Sequence, residues 1–200
     1  MGALKGSLGP SAIHLCLDMQ KIFDVAGPWS TPWLPRVLPA IVSIVEHYPA
    51  RTLFTRFIPP QFPQQASGTW RAYFEKWSNV TRAALAANDL ELVPALRRFV
   101  PPAEIFDKST YSCFADGRLH QRLQERGCDT IVVTGAETDV CVLATVLSAV
   151  DIGYRVVVVK DALCSSSDER HDDLLDLYAG RFDLQIELSE TSDVLEQWKV

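Results

Sequence analysis

Hydrophobic residues fall along this chain in short bursts, separated by longer stretches in which they recur every three or four positions. Six bursts have strand length: residues 12–17, 52–57, 104–107, 130–134, 155–159 and 183–187. The run Val156-Val157-Val158-Val159 lacks the polar alternation of a half-solvated strand and predicts a central strand buried on both faces. Between bursts, residues 116–126 place Leu119 and Leu123 one helical turn apart, with Asp116 positioned to cap the start and Gly127 to stop the end. Residues 168–179 repeat that layout before Gly180. Strand and helix alternating at this spacing predict an α/β fold, with a mostly parallel sheet covered by helices on both faces.

Residues 58–88 break the rhythm. Pro59, Pro60 and Pro63 open a loop, and Trp70, Tyr73, Phe74 and Trp77 then form one stripe of a short helix. Two readings stand side by side: the stripe packs into the core, or an insertion after a strand end builds the wall of a ligand pocket. The chain has 200 residues, 48% of them hydrophobic, which suits one domain over 1–200 with an ample core.

Charge and cysteine usage exclude several function classes. A formal charge of −6 without clustered Lys and Arg argues against a nucleic-acid partner. Five cysteines, an odd count without Cys-x-x-Cys or a Cys/His zinc spacing, suit free thiols in a reducing compartment. No run approaches the roughly 18 apolar residues of a membrane span, and the start lacks a signal peptide's apolar core. The expected location is the cytoplasm, with no membrane partner.

Candidate chemistry gathers at the strand ends. Gly135-Ala136-Glu137-Thr138-Asp139-Val140-Cys141 follows the fourth burst and opens a helical pattern, placing Cys141 in a first turn where the dipole favours a thiolate near neutral pH. Asp18 follows the first burst and Lys108 the third. In a doubly wound sheet of order 3-2-1-4-5-6 the first and fourth strands flank the point of reversal, so Asp18 and Cys141 become neighbours. Asp18 can then accept the thiol proton while Lys108 lowers the thiol pKa. His171, at the start of the last long helix, is an alternative base for Cys141. His14, His47 and His120 cluster with no second ligand, and Cys16, Cys113, Cys128 and Cys164 lack comparable partners.

These segments resemble the signature motifs of the isochorismatase-like cysteine hydrolases: Leu17-Asp18-Met19-Gln20, Asp107-Lys108-Ser109-Thr110-Tyr111-Ser112-Cys113-Phe114, and Gly135 through Val142. Leu92-Val93-Pro94, Asp151-Ile152-Gly153-Tyr154 and Asp161-Ala162 extend the likeness over nearly the whole chain. The resemblance implies a three-layer α/β/α fold with a six-stranded, doubly wound sheet and a catalytic triad of Asp18, Lys108 and Cys141. It also implies a cis peptide between Ala136 and Glu137, and an oxyanion hole made by the backbone N–H groups of Glu137 and Cys141.

Nicotinamidases of that family hold a metal through an Asp-x-His segment after the second strand; here Phe57 and Pro59 occupy those positions, and neither coordinates a cation. No metal or other cofactor is expected. The expected reaction is hydrolysis of a carbon–nitrogen bond in a small amide, ureide or carbamoyl compound through a thioester. The alternatives are a vinyl-ether hydrolase of the isochorismatase type and a catalytically weak binding or assembly protein. Expected substrate contacts are Phe23, Arg56, Trp70, Tyr73, Tyr111 and Phe114, with Arg56 either clamping a substrate carboxylate or serving a structural ion pair. The expected assembly is a homodimer or larger homo-oligomer, with Trp29, Trp33 or Trp198 as interface anchors.

Overall fold

Every residue of Ala12–Leu17 (β1) is buried, as its unbroken apolar pattern demands of a strand with neighbours on both edges and helices on both faces. Around it lie Thr52–Phe57 (β2), Glu104–Lys108 (β3), Thr130–Ala136 (β4), Arg155–Cys164 (β5) and Ile186–Ser189 (β6). All pair in parallel, in the order β3-β2-β1-β4-β5-β6. This computed structural model describes residues 4–86 and 88–199.

The period of two along the strands sorts the core into two layers. Ala12 and Cys16, with Val132, Val157 and Val159, meet helix Leu34–His47 (α1) through Leu34, Val37, Ile41, Ile44 and Val45. Helices Thr69–Lys76 (α2), Pro94–Arg97 (α3) and Thr191–Gln197 (α7) add Phe74, Leu96 and Val194 to the same cluster. On the opposite face, Ile13, Leu15, Leu17, Ile131, Val133, Val156 and Val158 pack under helices Arg118–Glu125 (α4), Leu143–Ile152 (α5) and Asp168–Arg181 (α6). The result is three layers, α/β/α.

His14 stands in the central strand, where a bare imidazole would be costly; Thr52 and Thr134 on the flanking strands take its two nitrogens at 3.2 and 2.8 Å. Burial pulls its pKa down to about 3, so the ring is neutral at physiological pH.

Several element boundaries differ from the sequence expectation, and helix α6 runs through the expected stop at Gly180 to Arg181. The last strand begins at Ile186 rather than 183, because the Phe182 carbonyl accepts from the Gln185 and Ile186 amides and closes a turn there. Helix α4 starts at Arg118, two residues beyond the expected cap, with Gly117 between them, although Asp116 Oδ1 still accepts the Arg118 amide at 3.1 Å. Strand β5 runs on to Cys164: between paired positions, β4 advances from Val133 to Gly135 while β5 advances from Val158 to Leu163, so β5 bulges outward. In that bulge Lys160 pairs with Glu190, and Asp161 accepts from the Thr191 amide and hydroxyl, which is why a polar pair interrupts the strand pattern.

Candidate active site

The site sits where the strand order reverses, at the carboxyl ends of β1 and β4. Two backbone features bring these ends together. Gly135 has φ +107° and pairs with Leu17; a Cβ there would lie 2.1 Å from the Leu17 carbonyl oxygen, so only glycine permits the approach. Asp18 has φ +51°, the one positive value outside glycine among the described residues, and its carbonyl accepts the Gln20 amide at 2.7 Å. A residue in that region persists only where its surroundings hold it, and such residues gather at functional sites.

The surroundings that hold Asp18 are specific. Thr55 on β2 donates its hydroxyl to Asp18 Oδ1 at 2.6 Å and accepts the Asp18 amide at 3.1 Å. Gln20 acts in place of a strand where β1 turns away: its Oε1 accepts the Phe57 amide at 2.7 Å, and its Nε2 donates to the carbonyls of Phe57 and Leu90.

Lys108 ends β3, two strands from β1, a span of roughly 10 Å that the long lysine stem bridges over the end of β2. Its Nζ lies 5.2 Å from the Phe57 ring centre, 2.7 Å from Asp18 Oδ2 and 3.4 Å from Cys141 Sγ, and donates to the Thr110 carbonyl at 3.0 Å. The Asp18 and Lys108 side chains are 1% and 2% exposed. Asp18 Oδ2 therefore faces the Lys108 ammonium, while Oδ1 is taken by the Thr55 hydroxyl. Burial opposes the charge on Lys108, but Asp18 and Cys141 outweigh it and the ammonium is held above its ordinary pKa.

Cys141 lies in a π-helical turn, Thr138–Val142, that precedes α5; the Glu137 carbonyl accepts the amides of Val140 and Val142, on either side of the cysteine. The Ala136–Glu137 peptide is cis. Burial, and then the Asp18 charge, push the Cys141 thiol well above its usual value despite Lys108. This runs against the expectation of a lowered thiol pKa: desolvation and Asp18 outweigh the helix dipole and Lys108.

A cavity of about 340 Å³ opens onto Cys141. That volume is at the small end of ligand sites and admits a compact molecule. Phe23, Tyr73 and Tyr111 line it as expected substrate contacts, joined by Trp29, Phe57, Trp77 and Glu137. Other expected contacts lie elsewhere. Arg56 is held outside the cavity by Asp107 and Glu91, each at 2.7–2.9 Å, so the structural ion pair describes it. Phe114 packs on Tyr154 in the opposite core layer, and Trp70 lines an adjoining groove beyond Tyr111. The aromatic helix thus divides its stripe: Phe74 is core, while Tyr73 and Trp77 face the cavity.

Among the described residues no hydrogen bond joins His171 to Cys141. The Thr138 hydroxyl donates to the Cys164 carbonyl at 3.1 Å, so the 2.8 Å contact with His171 Nδ1 needs the proton on Nδ1, and the ring packs on Trp33. Burial lowers its pKa. The interface anchors also change: Trp29 is a cavity wall, and Trp198 is 2% exposed against Tyr48. Phe57, where the resemblance implied a metal ligand in nicotinamidases, presents a hydrocarbon ring to the cavity, and that environment does not fit a cation held by donors.

Comparison with known proteins gives this arrangement its context. The family described as Isochorismatase domain matches residues 12–190. This chain belongs to the isochorismatase family. It is a hydrolase of a family that includes amidases and nicotinamidases. Among curated members, Nicotinamidase 3 of Arabidopsis thaliana is 28% identical over 162 residues, spanning 80% of this chain and 77% of that protein. Maleamate amidohydrolase of Pseudomonas putida is 26% identical over 168 residues, spanning 76% and 74%. Among solved structures, a cysteine hydrolase from Pseudomonas syringae pv. phaseolicola superposes with a TM-score of 0.84 at 21% identity, covering 98% of this chain and 97% of its own. N-carbamoylsarcosine amidase from Thermoplasma acidophilum does so at 0.72 and 18%, covering 90% and 96%. These structures share the fold. No helix among the described residues is long and apolar enough to cross a membrane.

Thr55, Trp29 and the Glu137 side chain were not visible as site groups in the sequence. Thr55 carried a signal, a hydroxyl in a buried strand two residues before Phe57, since such a group needs a partner. Trp29 carried none.

Proposed function

We propose that the chain is a cysteine hydrolase that cleaves the carbon–nitrogen bond of a small amide, ureide or carbamoyl compound without a metal. The observation that carries this reading is the buried Lys108 ammonium placed 2.7 Å from a carboxylate oxygen and 3.4 Å from the sulfur of a thiol that lines a compact cavity.

Each group has one role. As Cys141 Sγ bonds to the carbonyl carbon, its proton passes to Asp18, and the carbonyl π pair moves to oxygen. Backbone N–H groups of Cys141 and Glu137 hold that oxyanion. When the intermediate collapses, the C–N bond breaks and the nitrogen leaves with the proton from Asp18, giving a thioester. Water then attacks, Asp18 takes its proton, the C–S bond breaks, and the proton returns to sulfur. Lys108 remains charged throughout, offsetting Asp18 or the sulfur in turn. A thiol that ionises only as it attacks suits a site where burial penalises a resting thiolate.

The test is ammonia release from a panel of small amides and ureides, with acylated Cys141 trapped for mass spectrometry. Cys141→Ala abolishes release and Asp18→Asn removes most of it. Undiminished turnover in Cys141→Ala would reject the mechanism, and cysteine-independent cleavage of isochorismate would select the vinyl-ether reaction.

A further inference from the structure

The cavity leading to Cys141 is aromatic on most sides and acidic on one. Trp29 stacks on Phe23 at 5.8 Å, meets Tyr73 at 6.1 Å and takes Trp77 edge-on at 6.2 Å. Among the described residues no Lys or Arg lines it. Arg56 is tied to Asp107 and Glu91 outside, and the Lys108 charge is balanced by Asp18 at 2.7 Å. The charged side chain on the wall is Glu137. Its Oε1 accepts from the Thr31 hydroxyl at 3.3 Å and the Ser166 amide at 3.1 Å, which fixes the group, while Oε2 has no hydrogen-bond partner among the described residues. Burial and the nearby Asp139 both push this carboxyl upward, as expected of an acid without a counter-ion.

From this arrangement we propose that the cavity selects a cationic amide, one whose acyl part carries an ammonium or alkylated ammonium close to the carbonyl, recognised by the Trp29 and Trp77 rings and the Glu137 carboxylate. Ring faces carry negative potential and attract a desolvated cation, and the carboxylate adds to that field. An anionic amide would set its carboxylate against those same ring faces and a second carboxylate, with no cation to balance it. The reaction part of this inference rests on the amide hydrolase reading above; the charge selection does not.

Two arms separate these. In the first, choline and its neutral isostere 3,3-dimethyl-1-butanol are titrated into the Cys141→Ala protein, read by tryptophan fluorescence. Choline is expected to bind at least about tenfold tighter, a ratio that Glu137→Gln lowers and Trp77→Leu lowers independently. Equal affinities overturn the charge selection, whatever happens to turnover. In the second, ammonia release from 2-(trimethylammonio)acetamide is compared with that from 3,3-dimethylbutanamide, each normalised to its rate with hydroxide. A preference of at least about tenfold in kcat/KM for the cation is expected, and a preference for the neutral amide overturns the proposed substrate class. Release from neither amide, with Cys141 never acylated, overturns the amide reading, while choline preference in the first arm still establishes a cation-selective cavity.

Discussion

Replacing Thr55 with valine keeps the shape of the side chain and removes one hydroxyl, which makes it a clean test of how Asp18 is held. That hydroxyl makes two buried bonds: it donates to Asp18 Oδ1 at 2.6 Å and accepts the Asp18 amide at 3.1 Å. A hydrogen bond to a charged acceptor contributes about 1.5–3 kcal/mol, and an orphaned buried N–H costs about 1–3 kcal/mol. Thr55→Val therefore costs about 2.5–6 kcal/mol, a large share of the roughly 5–15 kcal/mol that holds a domain together. In a domain of this size that lowers Tm by on the order of 10 °C. Catalysis suffers separately: a carboxylate released from its tether at φ +51° leaves the line between thiol and ammonium, and a misplacement of this kind costs up to roughly a hundredfold in kcat. Thr55→Ser retains the hydroxyl and loses a methyl, about 1 kcal/mol, with near-normal kcat. Thermal unfolding and kcat/KM on the same preparations decide the matter. If the valine variant melts with the wild type, or serine and valine behave alike, the tether has no energetic weight.

Other outcomes follow from other parts of the structure. Gly135→Ala forces a Cβ onto the Leu17 carbonyl at a φ that alanine rarely adopts, and is expected to cost more than about 4 kcal/mol or prevent folding, read by urea denaturation; a stable, active variant contradicts the close approach of β1 and β4. His14 is held at about 3 against an ordinary 6.5, so between those values the unfolded chain binds a proton that the folded chain does not. The stability it contributes is complete above pH 6.5 and is lost as pH falls towards 3. About 2 kcal/mol disappears by pH 5, a slope that urea titrations of His14→Gln should lack. Because burial and the Asp18 charge hold the Cys141 thiol up, iodoacetamide should modify the resting enzyme slowly at neutral pH. Asp18→Asn should speed alkylation and Lys108→Met should slow it, while both lose at least about a hundredfold in turnover; slower alkylation in Asp18→Asn would show that the carboxylate does not raise the thiol.

The central sheet was legible because its strands are apolar on both faces, and a doubly wound sheet leaves few orders for them. Asp18, Lys108 and Cys141 were legible because each stands at a strand end, where such folds build sites. Less readable were features set by partners far away in sequence. The β5 bulge is hidden by Lys160 and Asp161, whose presence makes sense only beside Glu190 and Thr191. Arg56 reads from the sequence either as a substrate clamp or as part of a structural ion pair, because neither Asp107 nor Glu91 is near it in the chain to decide between them. The upward push on the Cys141 thiol was not readable because the helix dipole is a local property, whereas desolvation is set by the whole cavity. Trp29 stands before α1 without periodic companions, so nothing local says that it faces inward.

Asp18 and Lys108 precede the exposed turn at residues 115–117, and Cys141 follows it. Opened there, the chain falls into a β1–β3 piece and a β4–β6 piece whose common seam is the β1–β4 ladder. In the proposed mechanism one fragment carries the base and the ammonium and the other the nucleophile, so neither alone is expected to turn over substrate. Fused to two proteins that bind each other, the fragments are expected to regain the proposed thiol chemistry only when that seam re-forms.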